Sequence, residues 1–276
     1  MLALDATPRP PRRTADGRLI GRGVRPSAAI RDAYQERLLR LVDEMSNSVS
    51  YWLSAGYRRQ EDRIAALALD APPAADLAEV MRRLRRRWEG RFDDASLNLA
   101  RYFAKQVHRR TDTELRKILK RAGFSVEFRV SAPVRDALRA IVAENVSLIR
   151  SIPEQFLTQI EGSVMRSVLA GRDLATLSRE LQHQHGVTRR RAELISLDQN
   201  NKSTGAIQRL QYLDLGIERG IWHHSHAGKE WRPTHVANDG KEYDIRTGWF
   251  DPHEGRYIRT GELIRCKCWT APILPR

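Results

Sequence analysis

Apolar residues recur at three- and four-residue steps from Ile30 onward. Tyr34, Leu38, Leu41, Val42, Met45, Val49 and Trp52 fall on one face and predict a long helix, capped by Ser27 and interrupted at Gly56. Pro72-Pro73 breaks the pattern, and Asp76 restarts it through Leu77, Val80, Met81, Leu84 and Trp88. Further helical periodicity runs from about Phe92 to Arg121, with Gly123 as its stop. Pro133 opens another helix, whose Leu138, Ile141, Val142, Val146 and Ile149 share a face.

The second half begins in the same style and then changes. Pro153 predicts a helix start, with Phe156, Ile160, Val164, Val168 and Leu169 inward and Gly171 as the end. A short helix from Asp173 to Gly186 follows, and then one from Thr188 to Gly216. The middle of that last helix, Asp198-Gln199-Asn200-Asn201-Lys202, is polar where a helix gains least, because Asn and Asp compete for backbone hydrogen bonds. Two readings stand for it: side chains that bind something, or a solvated face. From Ile217 the segments shorten and alternate, separated by Gly, Pro and Asp. IERGIWHHS, KEYDIR, GRYIR and LIRCKCWTAPI predict three to five short strands, with turns at Asn238-Asp239-Gly240 and Asp251-Pro252.

The expected fold class is therefore α+β: a mostly helical N-terminal half, then a C-terminal domain of helices plus a small, mainly antiparallel sheet. The boundaries are a flexible basic arm over 1–26, rich in Pro, Gly and Arg, a helical basic region over 27–150, and a second domain over 151–276.

Charge sharpens the contrast between the halves. The chain carries a net +14. Residues 1–150 hold 30 Lys and Arg against 19 Asp and Glu, net +11, which leaves +3 for the rest. An excess of this kind suits an anionic partner, with nucleic acid the first candidate. Arg82, Arg83, Arg85, Arg86, Arg87 and Arg91 are the residues that would make a basic stripe for nucleic acid or an acidic partner surface. The plainer alternative is a solvated helix face flanking Leu84 and Trp88. No apolar run reaches the roughly 18 residues of a membrane span, and the N-terminus has no signal-peptide core.

Candidate chemistry gathers late in the chain. His223, His224, His226 and His235 are four of the eight histidines, and the two cysteines, Cys266 and Cys268, follow about thirty residues on. C-x-C is not the redox C-x-x-C motif, and a disulfide between its sulfurs would need a strained backbone. In a strand the two side chains share a face about 7 Å apart. Cys266, Cys268 and His235, with either His226 or Asp239, make a zinc set that would pin the last strand to the Arg232-Pro-Thr-His turn. Against this stands a reading as two small buried side chains, with no cofactor at all. A metal-dependent nuclease is a third reading, short of an evident carboxylate ligand set. No Walker loop, G-x-G-x-x-G, H-E-x-x-H or G-x-S-x-G is present.

Taken in order, these segments resemble the phage Mu F-like minor head proteins, the phage head morphogenesis family, over roughly residues 145–276. The resemblance is carried by Arg191-Ala192, by Asp198, Gln199, Asn200, Asn201 and Lys202, and by Gly216-Ile217. It continues with Trp222, the block Arg232, His235, Asp239 and Gly240, and the closing Cys266-Lys267-Cys268. Ile264-Arg265 departs from the Ile-Asn frequent there, Lys267 stands for the usual Arg, and His223, His224 and His226 lie outside the pattern. The resemblance implies a non-enzymatic minor capsid protein that acts in head assembly and resides in the virion. Its implied partners are the portal and the major capsid or scaffold protein, with double-stranded DNA as a further one.

Overall fold

A computed structural model of the chain describes residues 12–65, 73–127, 129–169, 174–227 and 231–275. Four long helices come first: α1 Ala28–Ala65, α2 Pro73–Arg121, α3 Ala132–Leu169 and α4 Leu174–Asp214. Short elements follow: β1 Arg219–His223, α5 Pro233–Ala237, β2 Glu242–Asp244, β3 Trp249–Asp251, β4 Arg256–Ile258 and β5 Trp269–Pro272. The protein is α+β, with a small three-stranded antiparallel sheet and a two-stranded one at the C-terminal end.

The helices are fewer and longer than their local signals suggest. Gly56 does not end α1, and the segments expected from Asp76 and from Phe92 are one helix, α2. Pro153 lies inside α3 rather than opening a helix, and α4 runs through both Gly186 and Thr188. An interior Pro costs about 3 kcal/mol and a Gly about 1 kcal/mol. Around Pro153, the buried Ile149, Ile152, Phe156, Leu157 and Ile160 each contribute about 1.5–3 kcal/mol, so burial outweighs the break. Trp52 and Leu169, expected on inward faces, are instead exposed. The expected break at Pro72, the stop at Gly171 and the cap at Asp173 lie outside the described residues.

The chain forms two compact units, neither continuous in sequence. One comprises residues 28–104 and 140–197, the other 1–27, 105–139 and 198–276. Their limits fall within α2, α3 and α4, and position 150 lies in the middle of α3. The described residues of the first unit are all helical. Its interior is the predicted stripe of α1 (Tyr34, Leu38, Val42, Met45, Val49) with Leu84, Trp88 and Phe92 of α2 and Phe156 and Ile160 of α3. Tyr34 stacks on Phe103 with centroids 4.5 Å apart, and its hydroxyl donates to Asn145 Oδ1 at 2.9 Å, which satisfies a polar pair inside this apolar core.

The second unit holds the sheet, in the order β2-β1-β5, antiparallel throughout. Ile221 of β1 pairs with Glu242 on one side and Ala271 on the other. β3 and β4 form a separate hairpin. The described part of the N-terminal arm is packed rather than free. Ile20 bridges Ile273, Gly21 N–H donates to the Pro272 carbonyl, and Val24 is buried with Leu115, Ile118, Leu119 and Tyr212. Few side chains protrude in this Gly-rich stretch, so its backbone can lie directly along β5. Residues 1–11 lie outside the described residues.

Candidate metal centre and its polar frame

Most of the polar stretch of α4 is buried: Asp198, Gln199, Asn200, Asn201, Ser203 and Thr204 are buried, and Lys202 is half-buried. Two of these side chains hold a turn far along the chain. Cys266 N–H donates to the Leu263 carbonyl at 2.9 Å and closes a β-turn. At Arg265, third in that turn, φ is +60°, the left-handed region that Asn and Gly favour. Asp198 Oδ1 accepts the Arg265 N–H at 2.6 Å, Asn201 Nδ2 donates to the Cys266 carbonyl at 3.0 Å, and Arg232 donates to the Ile264 carbonyl at 3.1 Å. Three residues distant in sequence thus satisfy three consecutive residues of one turn. Asn200 donates to the Ser27 carbonyl at 3.1 Å, which ties the N-terminal segment to the same helix.

Glycine makes the close approach of helix and loop possible. A Cβ at Gly205 of α4 would sit 2.5 Å from the Thr260 carbonyl oxygen, and one at Gly261 would sit 2.8 Å from the Asn201 carbonyl oxygen. Burial pushes the Asp198 carboxyl above its ordinary range, against the Arg265 N–H and the cations Lys202, Arg265 and Arg232 that favour its charge.

The turn delivers the cysteines to a histidine. Cys266 and Cys268 lie in the irregular segment before β5, not within a strand as expected. Their sulfurs therefore escape the roughly 7 Å strand spacing. Each Sγ is 3.6 Å from His235 Nδ1, and the three ligand atoms all lie within 4.8 Å of one another. Both thiols are free. His235 is on α5, whose first turn is set by Pro233. All three residues are buried, with Trp222, Tyr243 and Trp249 around them; the Trp222 and His235 rings meet edge to face at 5.3 Å.

Further groups surround these three side chains. His235 Nε2 faces Asp251 Oδ2 at 3.4 Å, too long and poorly aligned for a normal hydrogen bond. Asp251 is fully buried, and it is fixed by Thr234 Oγ1 at 3.1 Å and His253 N–H at 2.9 Å. The Cys268 N–H lies near the Cys266 sulfur and the Ser225 N–H near the Cys268 sulfur, while the buried Trp222 indole nitrogen has no hydrogen-bond partner among the described residues. A thiolate at Cys266 is favoured, first by the Cys268 thiol bonded to it, in spite of burial, and then by His235. The Cys268 thiol is correspondingly pushed up, first by its bond to Cys266 and then by burial.

The other candidates form a neighbouring cluster. Asp239 Oδ2 pairs with His226 Nε2 at 3.0 Å, and its Oδ1 accepts the His224 N–H at 2.9 Å and lies 3.6 Å from His223 Nδ1. Burial opposes these contacts, yet they hold the Asp239 carboxyl below its usual range. Desolvation pushes both His223 and His224 down, toward neutral imidazoles. His226 and Asp239, each considered a fourth metal ligand, are thus engaged with one another and stand outside the His235, Cys266, Cys268 group. Gly240, at φ +79°, turns the chain so that its N–H reaches the Trp222 carbonyl at 2.8 Å. Trp222 is fully buried.

In the basic run, Arg82 and Arg83 both bond Glu79, Arg85 bonds Glu89 and Glu161, and Arg91 bonds Glu44. Arg87 and Arg91 flank the Trp88 ring. Arg86 is exposed on the same face. Sequence reasoning missed Asp251, read only as part of a turn with Pro252. Its signal, a lone Asp before Pro, does not distinguish a turn former from a buried partner of histidine.

No protein-family model matches the chain, and no solved structure does. A Haemophilus influenzae protein, described only as an uncharacterized protein, is 25% identical over 150 residues. That stretch is 54% of this chain and 32% of the relative, so the chain spans about a third of that protein's length. Among the described residues, no helix is long and apolar enough to cross a membrane.

Proposed function

We propose that the protein is a non-enzymatic minor capsid component of a tailed-phage head, and that residues 151–276 are its assembly module. The reading rests on the ordered resemblance to the head morphogenesis family. One observation favours it over catalysis: Asp198, Asn201 and Arg232, residues that carry the resemblance, direct their hydrogen bonds inward onto the turn 264–266. Side chains used in this way maintain a shape. At Arg265, where the family often has Asn, the left-handed backbone is one that Asn adopts readily.

In this reading the partners are the portal and the major capsid or scaffold protein, and the protein resides in the virion. The paired arginines of the basic run make packaged double-stranded DNA a neighbour rather than a specific ligand. The test is co-purification of the full chain with the structural proteins encoded beside it. Association with portal or capsid is expected, and failure to bind any of them would sink the proposal. Divalent-dependent DNA cleavage that is lost in His235→Ala would replace it with the nuclease reading.

A further inference from the structure

We propose that His235 Nδ1, Cys266 Sγ and Cys268 Sγ bind one zinc ion, which fastens α5 to the loop ahead of β5. The inference holds whatever assembly the chain serves. Zinc takes sulfur at about 2.3 Å and imidazole nitrogen at about 2.0–2.1 Å, so a tetrahedral S–Zn–N angle places the two ligand atoms about 3.6 Å apart. Both sulfurs stand 3.6 Å from His235 Nδ1.

Both sulfurs converge on the same imidazole nitrogen. A neutral imidazole nitrogen carries either one hydrogen or one lone pair, so Nδ1 cannot make two full bonds to two thiols. A cation between the three atoms serves all of them. The environment fits as well. Asp251, fully buried and fixed from two sides, faces the far nitrogen of His235, the arrangement that orients a metal-bound imidazole. Backbone N–H groups of Cys268 and Ser225 lie near the two sulfurs. Two thiolates and an imidazole select zinc over magnesium or calcium, which prefer oxygen. Three protein ligands leave one tetrahedral position. Binding is balanced by the release to solvent of whichever protons the two cysteines still carry.

The test uses the full chain, purified without a histidine tag, reconstituted with zinc and freed of excess metal by gel filtration. Elemental analysis should give about one zinc per chain, and X-ray absorption should give two sulfurs near 2.3 Å and one imidazole nitrogen near 2.0–2.1 Å, with a light atom from solvent in the fourth position. Asp251→Asn retains every ligand, and it should weaken zinc retention against a chelator about 10- to 100-fold. Cys266→Ser and Cys268→Ser should each lose the metal. A wild-type chain that is folded by circular dichroism yet takes up no zinc would overturn the proposal. So would a zinc shell without sulfur. Both outcomes are read on the wild type, so a variant that fails to fold does not protect the idea.

Discussion

Replacing Asn201 with Ala removes one hydrogen bond at the point where α4 holds the turn 264–266. Asn201 is buried, and its amide donates to the Cys266 carbonyl at 3.0 Å. Without it, the carbonyl is left without that donor in a site that the truncated side chain does not open to water. An unsatisfied buried acceptor costs about 1–3 kcal/mol, to which the lost packing of the amide adds little. A loss near 2 kcal/mol would lower Tm by roughly 4–8 °C at this chain length. Urea unfolding followed by tryptophan fluorescence reads the change directly, because Trp222 and Trp249 lie in the cluster that the turn supports. Hydrogen exchange should show the loss of protection concentrated at residues 263–268. Asn201→Asp should cost more, since a carboxylate would face a carbonyl without a donor between them. A change within about 0.5 kcal/mol for Asn201→Ala, the size of an ordinary surface substitution, would refute the claim that α4 holds this turn.

Other expectations follow from neighbouring contacts. Gly205→Ala gains about 1 kcal/mol of helix propensity but drives a Cβ to 2.5 Å from a backbone oxygen, so thermal melts should show a net loss of about 1–2 kcal/mol. Arg265→Asn should stabilise by about 0.5–1 kcal/mol through relief of the left-handed backbone, whereas Arg265→Val should destabilise. Asp198→Asn preserves the acceptor for the Arg265 N–H. The Asp198 carboxyl is pushed up by burial, so its contribution is fullest below the unfolded value near 3.8 and is lost as pH rises through the folded one. The variant should therefore equal or exceed wild type at pH 7 in urea titrations. Asp43 is opposed by burial but held down by Arg189 and His185, so its contribution is present above the unfolded value of 3.8 and lost as pH falls through the lower folded one. Being partly exposed, it should cost less than about 1 kcal/mol as Asp43→Asn at pH 7, with the difference vanishing in acid.

The apolar stripes of α1, α2 and α3 were legible because burial and periodicity coincide. Tyr34 through Val49 and Leu84 through Phe92 are inward as their spacing predicts. Helix limits were not, because Pro153 and Gly186 are local signals and the decision rests with contacts made elsewhere in the chain. The helix cost of the cluster Asp198–Lys202 left two readings open, bound side chains or a solvated face, because the turn it holds lies more than sixty residues on and leaves no trace in spacing. His235, Cys266 and Cys268 were recognisable by residue type as candidate ligands, beside the alternative of two small buried side chains. Their actual distances depend on the turn at Arg265, and a C-x-C read as a strand hides that turn.

The pairing of Ile20 with Ile273 has a consequence for the order of synthesis. The sheet-bearing unit joins residues near the start of the chain to β5, so its contacts span almost the full sequence. The helical unit is complete once residue 197 has been made. At about 5–20 residues per second, β5 follows roughly 4–15 s later. During that interval the first segment has no strand to lie along, and the buried polar side chains of α4 have no turn to hold. A ribosome stalled before Thr270 would therefore release a folded helical unit attached to an unfinished one, the species most exposed to proteases and to wrong pairing of β1.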